Sequence, residues 1–334
     1  MAPSRGRGNR CAPSRRSNAL GHGLAALLRA LPSRLQTTNR RRSVVRTLRN
    51  NVGFLYVLPA LAFVGFFVLW PLVQLCYLSL TDTSLLGGGQ FIGFENYIKA
   101  FEDKKFWQAL GFTAKYTVFI TPLLMGLGFA LALLTSPNRR MQQITRGIIF
   151  LPVVIGIGSS SLLWFWLFDQ QVGLFNKFLV DIGLFAEPAV WFTKADMGLI
   201  AVTISITWKV IGFGMLLFVA GIQSINGEIG EAALIDGGNY WQRVWYIILP
   251  LSLRVILLTT LISVIGSMLA FDQFYIMTGG NPRGQTFTAV YSIYQSSFIS
   301  FKLGYGAALS IILTAIILVF STLQVILSNR SPSQ

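Results

Sequence analysis

Charge is scarce in this chain of 334 residues. Only 12% are charged, with 12 Asp and Glu against 27 Lys and Arg, where soluble domains carry about a quarter. That shortage excludes an ordinary soluble domain. Cysteine is nearly absent too: Cys11 lies in an Arg-rich start and Cys76 inside an apolar run. This excludes a disulfide framework and offers no metal-ligand spacing. The single histidine, His22, has no carboxylate or cysteine beside it, so histidine-based catalysis is not expected. No G-x-x-x-x-G-K-[ST] occurs anywhere, so no phosphate cradle and no ATP chemistry belong to this chain. Alternating ten-residue segments of the transmembrane barrel type are missing as well.

What remains is grease, 53% of residues. Apolar runs long enough to cross a bilayer, about 20 residues each, number six. They fall near 54–80, 109–135, 145–168, 199–223, 250–276 and 306–328. Irregular or open β backbone would leave polar groups unpaired in lipid, so the expected fold class is an all-α membrane protein of six transmembrane helices. Pro59, Pro71 and Pro122 fall inside the first two runs, where kinks are expected.

Orientation follows from the basic residues. Positions 1–50 hold twelve arginines and no acid; Arg139, Arg140 and Arg146 flank the second-to-third connection; Arg243 lies in the fourth-to-fifth; Arg330 follows the last run. The positive-inside rule makes these four regions, and therefore both termini, cytoplasmic. The chain divides into a basic N-terminal tail at 1–50, expected to be disordered, a transmembrane domain at 51–328 and a short cytoplasmic tail at 329–334. The basic arm leads into a membrane span and has no aromatic side chain on which a base could stack, which argues for membrane lipid and against nucleic acid as its neighbour. Within it, 19–31 (ALGHGLAALLRAL) reads as a short interfacial helix with its leucines on one face.

One polar interruption stands out, EAALIDGGNYWQRVWYIILP at 231–250, on the cytoplasmic side. Glu228 to Ile235 favours helix, and Gly237-Gly238 permits the backbone that ends it. A helix so short barely holds in water by itself. Either it lies on its own bundle or a partner covers it.

These residues resemble the permease subunits of binding-protein-dependent ATP-binding cassette importers. The signature is EAA, three residues, G, nine residues, I, one residue, LP, matched by Glu231-Ala232-Ala233, Gly237, Ile247 and Leu249-Pro250. IDGG at 235–238, FIGFENY at 91–97, TGGNP at 278–282 and FKLGYGAALS at 301–310 are similar to the carbohydrate branch, on the side of the larger maltose permease. The likeness runs over about 52–328. Asn226 and Asn281 depart from it: Asn226 stands where a proline usually precedes the motif helix, and Asn281 interrupts what is usually an unbroken GGGP; Asn226 is suited to capping the helix instead.

The resemblance implies a type I importer permease fold and an ATPase-coupling loop at about 224–249. In it Glu231, Ala232, Ala233, Asp236 and Gly237 meet a cleft of the ATPase, the alanines letting the helix sit deep. It also implies two ATP-binding cassette ATPases holding the ATP and magnesium, a second similar permease, an extracytoplasmic solute-binding protein and a bacterial inner membrane. For the substrate pathway, ionisable groups inside the membrane come first: Lys115, Lys209 and Asp272. By helix rise Lys209 lies roughly 22 Å above the cytoplasmic end, level with Ser263 and Ser267, and Asp272 at roughly 33 Å. Phe213 shares a face with Lys209. Lys209, Phe213, Ser263, Ser267 and Asp272 are thus the candidate pathway residues, with a sugar or sugar derivative as expected substrate. The charge of Lys209 requires compensation, from Asp272, a carboxylate of the second permease or an anionic ligand. A permease for a glycerol phosphodiester or polyamine, or a self-sufficient secondary transporter, is the alternative. The inverted repeat favouring the last is not found.

Overall fold

The structure is a computed structural model and describes residues 56–329, with side chains to residue 326. The expectations for the arm at 1–50 and for the C-terminal tail lie outside the described residues. Among those described there is no strand; two isolated antiparallel bridges, Thr81 with Phe91 and Ser84 with Lys302, are the only β pairing.

The helices are α1 (Tyr56–Ser79), α2 (Glu95–Glu102), α3 (Lys104–Thr135), α4 (Arg140–Val154), α5 (Ile157–Leu167), α6 (Leu174–Asp181) and α7 (Ala195–Gln223). There follow α8 (Gly227–Ile235), α9 (Tyr240–Leu251), α10 (Leu253–Met268), α11 (Asp272–Met277), α12 (Ala289–Tyr294) and α13 (Leu303–Asn329). Four of them, α1, α3, α7 and α13, are long and apolar enough to cross a bilayer alone.

Two expected spans are not single helices. The run at 145–168 is α4 and α5, bent by 96°, and the one at 250–276 is α9 and α10, bent by 68°, with α11 beginning separately at Asp272. A proline stands shortly before each bend, Pro152 ahead of Ile155 and Pro250 ahead of Ser252. Pro152 and Pro250 lack the N–H that would meet the carbonyl four residues back, and their rings crowd it. The turn of π-helix at Val244–Ile248 lies immediately before Pro250, and a second at Gly65–Leu69 stands the same way before Pro71. Pro122, by contrast, sits inside an unbroken α3.

Lipid does not squeeze helices together as water does, so close packing and small residues hold the bundle. The 29-residue α7 shows this best. A Cβ at Gly212 would strike Ile149 O and lie 2.8 Å from the Phe150 Cα of α4, and one at Gly221 would lie 2.8 Å from Val255 Cγ2 of α10. The largest core cluster joins Tyr116 and Ile120 of α3, Trp164 of α5, Val202 and Ile206 of α7, and Phe274 of α11.

Connections at one end of the bundle are tied to one another. The Asn96 amide of α2 donates to Ser79 O (2.9 Å) and Thr81 O (2.8 Å), and Tyr97 shares a hydrogen with Ser79 (2.7 Å). The Gly304 N–H donates to Thr83 O (3.0 Å), and Tyr305 Oη donates to Asp103 Oδ2 (2.7 Å). FIGFENY and FKLGYG, far apart in sequence, are thus two halves of one assembly. At the other end of the bundle Arg146 caps α3, its Nε donating to Thr135 O (2.8 Å), and the Gln223 amide donates to Ser136 O (2.9 Å).

Candidate coupling loop and substrate cavity

The chain from Asn226 to Gln242 forms two capped helices and a rigid elbow. Asn226 Oδ1 accepts the Glu228 N–H (3.1 Å), satisfying one of the donors that a helix start leaves free. At the other end of α8, Gly237 takes φ +79°. Its N–H donates to Leu234 O (3.1 Å) while Gly238 N–H donates to Ala233 O (2.9 Å), the paired bonds of a Schellman ending. Asn239 then starts α9 with a reciprocal box: Asn239 Oδ1 accepts from Gln242 N–H and Gln242 Oε1 from Asn239 N–H, each at 2.8 Å. The Arg243 guanidinium lies back across the elbow beside Gly230.

No side chain of α8 is buried. Ile229, Leu234 and Ile235 are exposed, Ile235 by 87%, so the bundle itself does not cover the helix. Glu231, Ala232 and Asp236 are exposed as well, Ala233 is half-buried, and neither acid joins an ion pair among the described residues. A short helix fixed at both ends and bare along its length is built to be covered.

The pathway candidates separate into two groups. Phe213, Ser263 and Ser267 line one cavity of about 280 Å³ between α3, α7, α10 and α11, just below the ~300–1,000 Å³ usual for drug-sized ligands. Tyr116, Thr259 and Gln273 line it too. Ser263 Oγ donates to Thr121 Oγ1 (3.4 Å), Ser267 Oγ to Val264 O (2.9 Å) and Thr259 Oγ1 to Val255 O (2.8 Å). Their lone pairs remain for a ligand's hydroxyls. Phe213, 42% exposed, offers a ring face beside them.

Lys209 and Asp272 do not line that cavity. Lys209 is buried, 4% exposed, and its ammonium donates to Ile155 O, with Val153 O at 3.4 Å. Its compensation is therefore main-chain carbonyl at the end of α4. Asp272 is exposed at the first position of α11. Lys115 pairs with Asp196 in the first turn of α7 at 2.6 Å. Among the buried polar residues lining the cavity, sequence reasoning passed over Thr259 and Gln273, the latter beside the Tyr116 hydroxyl.

Two bent apolar helix pairs, a bare capped helix joining α7 to α9 and a mid-bundle cavity with neutral polar walls fit a membrane transport subunit. Comparison with known proteins agrees. The profile of the binding-protein-dependent transport system inner membrane component matches residues 123–331, and the chain belongs to that family. The lactose transport system permease protein LacF of Rhizobium radiobacter is 34% identical over 292 residues, 86% of this chain and 97% of that protein. The sulfoquinovosyl glycerol transport system permease protein SmoG of Agrobacterium fabrum is 32% identical over 267 residues, 79% of this chain and 86% of that one. In fold, a chain of a bacterial importer of the acidic polysaccharide alginate superposes with a TM-score of 0.76 at 20% identity, covering 87% of this chain and all of that one.

Proposed function

We propose that this chain is one of two permease subunits of an ATP-driven importer for a saccharide, set in the bacterial inner membrane with both termini cytoplasmic and six crossings, the two bent pairs counting as one each. The observation that carries the reading is α8, exposed along its length yet capped at both ends. Two partner ATPases, which hold and hydrolyse the ATP, would each receive one such helix, one from this chain and one from the second permease. Glu231 meets a basic side chain of the ATPase, Ala232 and Ala233 allow close seating, and Asp236 with Gly237 holds the turn. An extracytoplasmic binding protein delivers the substrate.

The substrate reading rests on the cavity. Its polar groups are hydroxyls and an amide, with no acid and no free cation among its lining residues. Since carbonyls already compensate Lys209, no anionic ligand is required to balance it, and a neutral or weakly acidic saccharide is favoured, its ring against Phe213 and its hydroxyls on Ser263, Ser267 and Gln273. This chain supplies one wall, and the second permease supplies the other. Thermal shift of the cognate binding protein against neutral disaccharides and their carboxylated and sulfonated analogues tests the substrate. Stabilisation by saccharides is expected, and exclusive stabilisation by an amino acid, peptide, polyamine or metal would overturn it.

A further inference from the structure

We infer that Lys209 is a positioning residue: its ammonium, together with the close contact at Gly212, pins the bend of the third span to α7, so that coupling-helix movement reaches the cavity wall through one rigid unit.

Four observations converge. The bend leaves carbonyls at the end of α4 without helical donors, a costly arrangement inside a membrane unless something else donates. Lys209 donates there, to Ile155 O, with Val153 O at 3.4 Å; a cation is also the favoured charge at a helix C-terminus. Three residues on, and so on the same face of α7, Gly212 lets the α4 backbone approach to where no Cβ fits, with Phe150 Cα 2.8 Å from its would-be position. Beyond the bend, Trp208 of α7 packs edge-on against Trp164 of α5 with ring centroids 5.7 Å apart. One helix therefore grips both arms of the bend.

The two ends of this unit give it a use. Val153 and Ile157, on either side of the bend, line the cavity. At its other end α7 stops at Gln223, and Asn226 caps α8 three residues later. Displacement of α8 is thus passed along α7, roughly 22 Å from Ser224 to Lys209 by helix rise, and through the pinned carbonyls to Val153 and Ile157. The buried cation serves the wall rather than the ligand. This inference rests on the reading of α8 as the ATPase dock.

The test uses the assembled importer in lipid nanodiscs, with Cys11 and Cys76 replaced by serine and spin labels at Ile148→Cys and Leu163→Cys. Both positions are exposed, one on each arm of the bend. The label-to-label distance distribution is expected to be narrow with and without ATP plus vanadate. Lys209→Met should at least double its width, and Lys209→Gln, a neutral side chain that still donates, should recover part of the narrowing. A Lys209→Met distribution superimposing on the parent's would overturn the inference. If that variant does not reach the membrane, Gly212→Ala and Lys209→Gln decide: both unchanged refutes the pin, and widening in Gly212→Ala upholds it. Glu231→Lys separates the two readings. A narrow distribution in it upholds a pin independent of docking and a wide one counts against it. Undiminished stimulation of ATP hydrolysis by the binding protein would instead refute the dock.

Discussion

Replacing Gly237 by valine isolates the elbow from the rest of the molecule. Nothing lies within 4 Å of the position a Cβ would take, so the substitution collides with no neighbour and acts only through backbone. At φ +79° an L-residue gives up about 1–2 kcal/mol, more for a β-branched side chain. Escape from that conformation breaks the bonds from Gly237 N–H and Gly238 N–H to α8, each worth about 1 kcal/mol net. The residue either stays strained or escapes, so the cost is the smaller of the two, about 2 kcal/mol, a factor of roughly 30. It falls on a nine-residue helix with no buried side chain, hence on the local order of α8 and not on the bundle. Hydrogen exchange on the purified complex should show the amides of Asp236 to Gly238 exchanging roughly 30-fold faster, with α3 and α7 unchanged. Uptake should fall to background at normal membrane abundance. Gly237→Asn, which tolerates the left-handed region, should stay within a few-fold of the parent in both. Parental exchange and uptake in the valine variant would refute the reasoning.

Other outcomes follow from the same geometry. Glu231→Lys should reduce uptake at least tenfold while the protein stays in the membrane, measured by uptake and immunoblot; full uptake with normal ATPase stimulation sinks the docking assignment. Asn226→Ala should loosen the start of α8 by about 1 kcal/mol, read as faster exchange at Glu228 and Ile229. Phe213→Ala should raise the KM for uptake at least fivefold with little change in ATP hydrolysis, and an unaltered KM removes Phe213 from the pathway. Asp169, outside the spans, accepts N–H bonds from Val172 (3.0 Å) and Gln171 (2.8 Å), which hold its carboxyl below the usual carboxylate range. Because the folded value is depressed, that turn keeps its full support above the ordinary carboxylate pKa near 4 and loses it as pH falls through the lower folded value. Exchange at Gln171 and Val172 should rise on such acidification in the parent and show no such step in Asp169→Asn.

Much of this was legible in the sequence. Helix positions came from apolar runs, which lipid enforces, and the elbow from a Gly pair whose backbone freedom has few other uses. The Asn239-x-x-Gln242 box carries a recognisable spacing and was available to the same inspection. The bends were harder. Pro152 and Pro250 lie in the apolar runs as Pro122 does, and where a helix stops depends on what receives the carbonyls left at its end, as Lys209 does for α4 and nothing in the sequence of α4 announces. Lys209 itself was singled out by its cost in lipid, but a search for compensating acids cannot find backbone oxygen. Gln273 was missed because a neutral amide raises no such alarm, although one residue turns a helix by about 100° and divides an exposed Asp272 from a buried neighbour.

The bridge between Ser84 and Lys302, with Gly304 donating to Thr83, sets an order on biogenesis. Its partners are separated by about 220 residues, so at ~5–20 residues per second of synthesis the loop after α1 waits roughly 10 to 45 s for the segment that completes it. During that interval the loop is unfinished, and the partners of its backbone arrive only with the start of α13. A chain cut short before α13 therefore shows its defect in the loop after α1, more than two hundred residues from the cut, so the earliest connection to be made is among the last to be secured.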